Sequence, residues 1–546
     1  MSAGTLTVEG AGSAWSPFSQ RAFTLLWTAT LISNTGTWMN DVGAGWLMTT
    51  LNPSPAVVSL VQAATTLPIF LFALFAGTLA DRLDKRSLLI AVNVLMCAVA
   101  AMLAWLVARG AMTPALLITF TFMLGTGAAF IAPAWQAVVP ELVPREQLSP
   151  AIALNSLGIN ISRAIGPALA GVLITTAGLA WPFILNAASY VLIVLVLWNW
   201  RPPKKDASAL PPEPLLHAII TGLRHAAHNQ PFKATLVRAL SFFLFASAYW
   251  ALLPLIARQL PGEGARLYGL LVAAAGIGAV AGALLLPRLK PRLDTHRIAA
   301  LGVFTTALSM ALLGLANLPL WAMAASLLAG LGWITVLTSL HVSAQTALPG
   351  WVRARGLSIF LMVFFGSMSL GSVLWGQLAQ HTSIATAMIV AGCGAVIALA
   401  LTWRAKLGQA EGLDLAPSAH WPQPIIHGGS QEHFDRGPVM VSITYRIDSA
   451  NIDAFLTAIR ELASERYRDG AFQWGVFQQS EDPTLWIESF QVSSWAEHLR
   501  QHDRVTENDR RLQAQVKQYH QGELPPKIEH WLAPVRGGQS SPGELL

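Results

Sequence analysis

Between residues 21 and 403 the chain is a succession of long apolar runs, each about as long as the roughly 20 residues that cross a bilayer core, and nothing constrains its fold more. The runs fall near 21–48, 55–80, 87–109, 113–138, 150–178 and 181–200, then near 236–258, 266–287, 297–316, 319–347, 356–379 and 383–403. Only 12% of the 546 residues are charged and 53% are hydrophobic, against about 25% charged in soluble domains. The expected fold is an all-α membrane bundle of twelve transmembrane helices in two six-helix halves, followed by a soluble α+β domain. The first run is too long for a signal-peptide core and lacks a small-residue cleavage site, so it is expected to remain as a helix.

Lys and Arg sort to one side of this topology. Arg21, Arg82, Lys85, Arg86, Arg145, Arg201, Lys204, Lys205, Lys233, Arg288, Lys290, Arg292, Arg297, Arg353, Arg355, Arg404 and Lys406 collect on one side, while Arg109, Arg258 and Arg266 lie on the other. Positive-inside asymmetry makes the crowded side cytoplasmic, with both ends of the bundle there. The net charge of +6 is thereby accounted for, and no basic soluble face suggests nucleic acid. Cys97 and Cys393 sit in separate apolar runs and imply no disulfide.

The loop after the second run, Gly77-Thr-Leu-Ala-Asp81-Arg82-Leu-Asp84-Lys85-Arg86, packs five charges between two apolar segments, so it belongs at a membrane face. It resembles the signature of the major facilitator superfamily between its second and third helices, with Asp84 in place of the usual glycine. The resemblance implies that Gly77, Asp81, Arg82, Lys85 and Arg86 form a cytoplasmic gate. The halves also echo each other: Gln136 to Val143 leaves the fourth run much as Gln345 to Val352 leaves the tenth, and Gly166 with Gly171 is matched by Gly371 with Gly376. Duplicated halves place a substrate site between them near the midplane and imply rocking between inward-open and outward-open states.

Polar residues within the runs are the site candidates. Asn34, Trp38, Asp41 and Gly45 recur at helical spacing. Two readings of Asp41 stand: a cavity-facing proton carrier, or an interfacial residue near the end of its span. The fifth run carries Asn155, Asn160 and Arg163, then Gly166, Pro167 and Gly171, which resemble the superfamily's antiporter motif with Ala170 replacing one glycine. Arg163 keeps its charge and needs a carboxylate, a carbonyl or an anionic ligand. Thr121 stands where many drug exporters of the superfamily carry arginine, and Arg163 is the candidate to replace that cation. Thr338, His341 and Gln345 share a face of the tenth run, with His341 a candidate proton relay; Gln136 completes the cavity candidates.

From about 438 the sequence turns mixed and charged. Alternation at Val439, Val441, Ile443, Tyr445 and Ile447, an amphipathic helix from Ile452, strands at 472–476 and 485–490, one helix from Trp495 through Tyr519 and a strand at 527–532 give the order β-α-β-β-α-β of a ferredoxin-like unit. The expected domains are 1–200, the linker 201–235, 236–404, the linker 405–437, and the soluble domain 438–536. That domain is similar to dimeric α/β-barrel domains of small monooxygenases, which implies a dimer through it. His498 and His502, one helical turn apart, have metal-ligand spacing but no third ligand, so a solvated helix face is the expectation and neither metal nor cofactor is assigned.

Taken together, Leu31 to Trp38, Pro140 to Arg145, Gly166-Pro167 and Glu488 to His502 resemble one branch of the superfamily, that of enterobactin exporters and transmembrane secretion effectors, over about residues 15–535. The resemblance implies a bacterial inner-membrane transporter, not an enzyme, that exports a small amphipathic molecule such as a siderophore, drug or secondary metabolite by proton antiport. A proton-coupled importer uses the same fold. A tail that acts on or senses the cargo is a further alternative.

Overall fold

The computed structural model describes residues 15–201, 215–261, 264–418, 420, 421, 424 and 436–534. The 202–214 part of the interhalf linker, most of 422–435, and the side chains of Asp81, Arg82 and Arg145 lie outside the described residues. The first six long helices are α1 (Arg21–Leu51), α2 (Pro55–Arg82), α3 (Lys85–Ala108), α4 (Pro114–Val138), α5 (Leu148–Thr176) and α6 (Trp181–Asn199). After a short helix α7 (Leu215–His228) come α8 (Gln230–Gln259), α9 (Gly264–Leu289), α10 (Thr295–Gly314), α11 (Pro319–Thr346), α12 (Arg353–His381) and α13 (Ile384–Leu401).

Eleven of the described helices are long and apolar enough to cross a membrane. Helix α1 is not among them, although its 31 residues suffice in length. Asn34, Asn40, Asp41 and a series of threonines dilute its hydropathy, as expected of a helix with one polar flank. Helix interiors contain Pro68, Pro133, Pro167, Pro254 and Pro287, which membrane helices tolerate because neighbours and hydroxyl side chains re-satisfy the freed carbonyls.

Chain contacts divide the described residues into two units. The first comprises the chain up to 201 with 236–341 and 360–407. Within it the six-helix groups meet through closely approaching glycines. Gly171 of α5 lies against the Ala265 carbonyl and Arg266 of α9, and Gly269 of α9 lies against the Pro167 carbonyl. Ser54 donates to Gln380 Oε1 at 2.6 Å, and Gly376 of α12 sits on Ser59 of α2. These contacts all involve the 54–59, 171, 265–269 and 376–380 end of the bundle. Towards the other end an apolar cleft of ≈ 670 Å³ lies between α2, α8 and α12, lined by Leu67, Phe70, Leu240 and Met362 among others.

The loop at Asp84 has a local explanation. Asp84 is the N-cap of α3, its carboxylate accepting from Ser87 N at 2.8 Å, and the Ser87 contacts hold its carboxyl below the usual range. Lys85 pairs with Glu141 at 2.8 Å, and Arg86 donates to the Leu197 and Trp198 carbonyls at the end of α6. A capping residue thus replaces glycine without disturbing the basic pair that follows.

The second unit comprises the described part of 212–235 with 342–359 and the chain from 408. Its sheet runs β2-β3-β1-β4, all antiparallel, from β1 (Val439–Arg446), β2 (Phe472–Gln478), β3 (Leu485–Val492) and β4 (Lys527–Leu532). One face packs Val439, Val441, Ile443 and Tyr445 of β1 with Trp486 and Phe490 of β3 against Phe455, Ile459 and Leu462 of α14 (Ile452–Arg468). The other face leaves Met440, Phe477 and Trp531 exposed. The single helix expected over 495–519 is two: α15 (Trp495–Arg504) and α16 (Glu507–Lys517). Thr506 begins a new helix there through a capping box with Asp509. Inside this unit Glu488 is fully buried, accepting from Arg466 at 3.0 Å, Trp474 at 3.0 Å and Tyr445 at 3.2 Å. A buried carboxylate so completely paired escapes the penalty of an orphaned charge.

Candidate functional site

Helices α1 and α5 build the centre of the first unit. Thr35 of α1 donates to Ser162 of α5 at 3.2 Å, Ser162 donates in turn to the Leu31 carbonyl, and Trp27 Nε1 donates to the Leu154 carbonyl at 2.9 Å. Gly166 has no side chain where one would strike Cβ of Trp38, so α5 seats directly on that residue. The Arg163 guanidinium then lies 5.6 Å from the Trp38 ring centroid, and its buried Nε has no hydrogen-bond partner. Arginine facing a desolvated indole gains cation–π attraction, about 2 kcal/mol where water is excluded, and keeps donor capacity for an anion.

From Trp38 an aromatic path crosses to the other half. Trp38 and Trp250 of α8 are 6.5 Å apart, Trp250 and Trp333 of α11 5.6 Å, Trp333 and Phe364 of α12 6.0 Å, and Phe364 stacks on Phe243 at 3.9 Å. The indole Nε1 of Trp250 is buried without a partner. An arginine beside a row of tryptophans, with an unfilled indole donor, suits a planar aromatic group bearing negative charge.

Asp41 stands on α1 one turn from Trp38. It lies next to Asn40 and within electrostatic reach of the hydroxyls of Tyr190 and Tyr268, while the Tyr268 hydroxyl is held over Gly45. Asn34 is half-buried a turn the other way.

The remaining sequence candidates scatter. Asn155 accepts from Trp135 Nε1 at 3.4 Å. Asn160 donates its amide to the Ser156 carbonyl of its own helix at 2.9 Å, and Gln136 is exposed. Gln345 is exposed and belongs to the second unit. His341 packs edge-on against Phe360 at 5.5 Å. The sequence reading missed Trp250, Trp333, Phe243 and Phe364. Tryptophan prefers the membrane interface, so an indole at the middle of a span was the available signal.

One expectation for the second unit is overturned. His498 and His502 do not form a solvated face: His498 is 2% exposed and His502 half-buried, because α15 lays this side on the sheet beside His530 of β4.

This architecture has relatives. The sequence profile of the transmembrane secretion effector family matches residues 12–537. The chain belongs to that family of major facilitator transporters. Its long apolar helices and this membership make it a multi-pass membrane transporter. It is 27% identical over 372 residues to the staphyloferrin A transporter of Staphylococcus aureus, covering 66% of this chain and 90% of the relative. It is 27% identical over 364 residues to the enterobactin exporter of Citrobacter koseri, covering 62% and 81%. Among solved structures, a bacterial homologue of the lysosomal transporter Spinster, inward-facing and unoccupied, superposes with a TM-score of 0.56 at 16% identity, covering 72% of this chain and 98% of that one. A POT family transporter in complex with 5-aminolevulinic acid gives 0.59 at 12% identity, covering 70% and 96%. At such identities these two establish fold alone.

Proposed function

We propose that this chain exports a small, anionic, aromatic or amphipathic molecule of the siderophore class from the bacterial cytoplasm by proton antiport. The observation that carries the cargo class is the path from Arg163 through Trp38, Trp250 and Trp333 to Phe364. It joins both halves, so its spacing changes whenever they rock, and cargo seated on it is held differently in the two states. The named relatives handle staphyloferrin A and enterobactin, which supports that class.

In this reading α1 is the twelfth span, both ends of the bundle are cytoplasmic, and the close contacts near Gly171 and Gly269 shut the outer side. Asp41 takes the proton, and Arg163 holds the cargo's negative group or steadies the ionised Asp41. Protonation at Asp41 and cargo at Arg163 then oppose each other through one positive charge, which is the requirement for exchange. Lys85 and Arg86 anchor the inner gate with Gly77, Asp81 and Arg82, and Gly166, Pro167 and Gly171 shape α5 for the outer closure. Residues 438–536 are a ferredoxin-like domain, and a homodimer forms through the exposed sheet face bearing Met440, Phe477 and Trp531.

Export is preferred to import because the glycine–proline run of α5 resembles the antiporter motif. The test is a comparison of small molecules inside and outside producing cells with and without the protein. Loss of the protein should raise an anionic aromatic metabolite inside and lower it outside. The reverse pattern identifies an importer, and no change in either compartment refutes the reading.

A further inference from the structure

A cluster of three histidines in the second unit is not used by any transport step. His498 and His502 stand one helical turn apart on α15, and His530 faces them from β4, where it lies opposite Val441 in the ladder. A nitrogen of each lies within 4.8 Å of the others. The tautomers are set favourably. Nδ1 of His498 donates to Gln501 Oε1 at 3.4 Å, and Gln501 is itself fixed by its donation to the Asp469 carbonyl at 3.2 Å. That leaves the Nε2 lone pair of His498 buried and without a partner, and the buried Nδ1 of His502 likewise has none. A metal-binding histidine has this arrangement, one nitrogen tied to a carbonyl oxygen and the other vacant.

The surroundings suit a cation on neutral ligands. Trp495 packs on His498 and His530, and Trp421 on His502. Arg466, a positive charge within electrostatic reach of His498, is ion-paired with Glu488 at 3.0 Å. His420 is not a fourth ligand, since its nitrogens already meet Ser418 at 2.7 Å and Gln513 at 3.1 Å.

We infer that His498, His502 and His530 form a binding site for a late first-row divalent metal, zinc foremost, with one coordination position that no described residue fills. Among the described residues the cluster offers three imidazoles and no carboxylate, a donor set that selects zinc, cobalt, nickel or copper over magnesium and calcium, which require oxygen. Zinc bonded at about 2.0–2.1 Å needs nitrogens about 3.4 Å apart, so small side-chain rotations close the present spacing. The open position admits water or a donor atom of a small ligand. This inference is independent of the cargo and direction of transport.

The test uses the full chain in detergent, purified with an affinity tag free of histidine, stripped with chelator, reloaded with Zn²⁺ or Co²⁺ and desalted. Metal content by mass spectrometry should be about one equivalent per chain, and Co²⁺ should give the intense visible bands of a four-coordinate site. His502→Gln and His530→Gln should each weaken binding about tenfold or more, whereas His381→Gln, at an exposed helix end, should not. His530 lies on an edge strand, so its substitution carries the test even where a change at buried His498 prevents folding. Less than about a tenth of an equivalent on the wild-type chain, or unchanged binding in both variants, overturns the site.

Discussion

Replacing Gly269 with alanine probes the closure between the halves. A Cβ at Gly269 would stand 2.5 Å from the Pro167 carbonyl oxygen and 3.0 Å from Gly171 Cα, both backbone atoms of α5 that cannot rotate away. Ordinary contact needs about 3.5 Å, so α5 and α9 must separate by up to about 1 Å at this crossing. Overpacking of this kind costs about 1–3 kcal/mol. The strain exists only while this end is closed, so at about 1.4 kcal/mol per tenfold it shifts the balance towards the opposite state by roughly 5- to 150-fold. The assay places a single cysteine at Ala265, which is 4% exposed and one turn from Gly269, in a chain lacking Cys97 and Cys393. Its modification rate by an impermeant maleimide should rise with the open population. Gly350→Ala, where an added Cβ meets nothing within 4 Å, should leave the rate unchanged. A folded Gly269→Ala protein that labels at the wild-type rate would refute the assignment of this contact to the closed state.

Other expectations concern the second unit. His225 packs edge-on against Trp351 at 5.4 Å, and burial, with Arg468 next, holds it down to about 3. A histidine whose folded value is depressed contributes stability above its unfolded value near 6.5 and loses it as pH falls towards 3. The unfolding free energy from denaturant titration should therefore drop by about 1.4 kcal/mol per pH unit below 6.5, and His225→Leu should flatten that slope; an equal slope in both proteins removes His225 as the cause. For the dimer, light scattering of the full chain in detergent should report two copies for the wild type and one for Trp531→Glu, whose indole is 53% exposed on the open sheet face. A monomeric wild type rules out that interface.

Much of this was legible in the sequence because membrane spans announce themselves by length and hydropathy, and strands by alternation. Asp84 illustrates the limit: as a deviation from a glycine motif it was visible, but that it caps α3 through Ser87 follows only from backbone geometry. The break at Thr506 was written in the Thr506 and Asp509 pair, yet the helical periodicity running from Trp495 through Tyr519 masked it. Within the site, Trp38 and Arg163 were singled out by polarity against an apolar background. Trp250, Trp333 and Phe364 are apolar themselves and vanish into the hydropathy of their spans. His530 escaped notice because its link to His498 and His502 is across strand and helix, a contact that local spacing does not encode.

The most direct measurement of the central claim is flux in proteoliposomes with an imposed pH gradient, offered enterobactin or staphyloferrin A as cargo. The wild type should move cargo against its gradient at the expense of the proton gradient. Asp41→Asn should still bind cargo but lose the pH-driven component, whereas Arg163→Ala should lose binding itself. Normal pH-driven transport by Asp41→Asn would contradict the account, place Asp41 at the membrane interface and turn attention to His341.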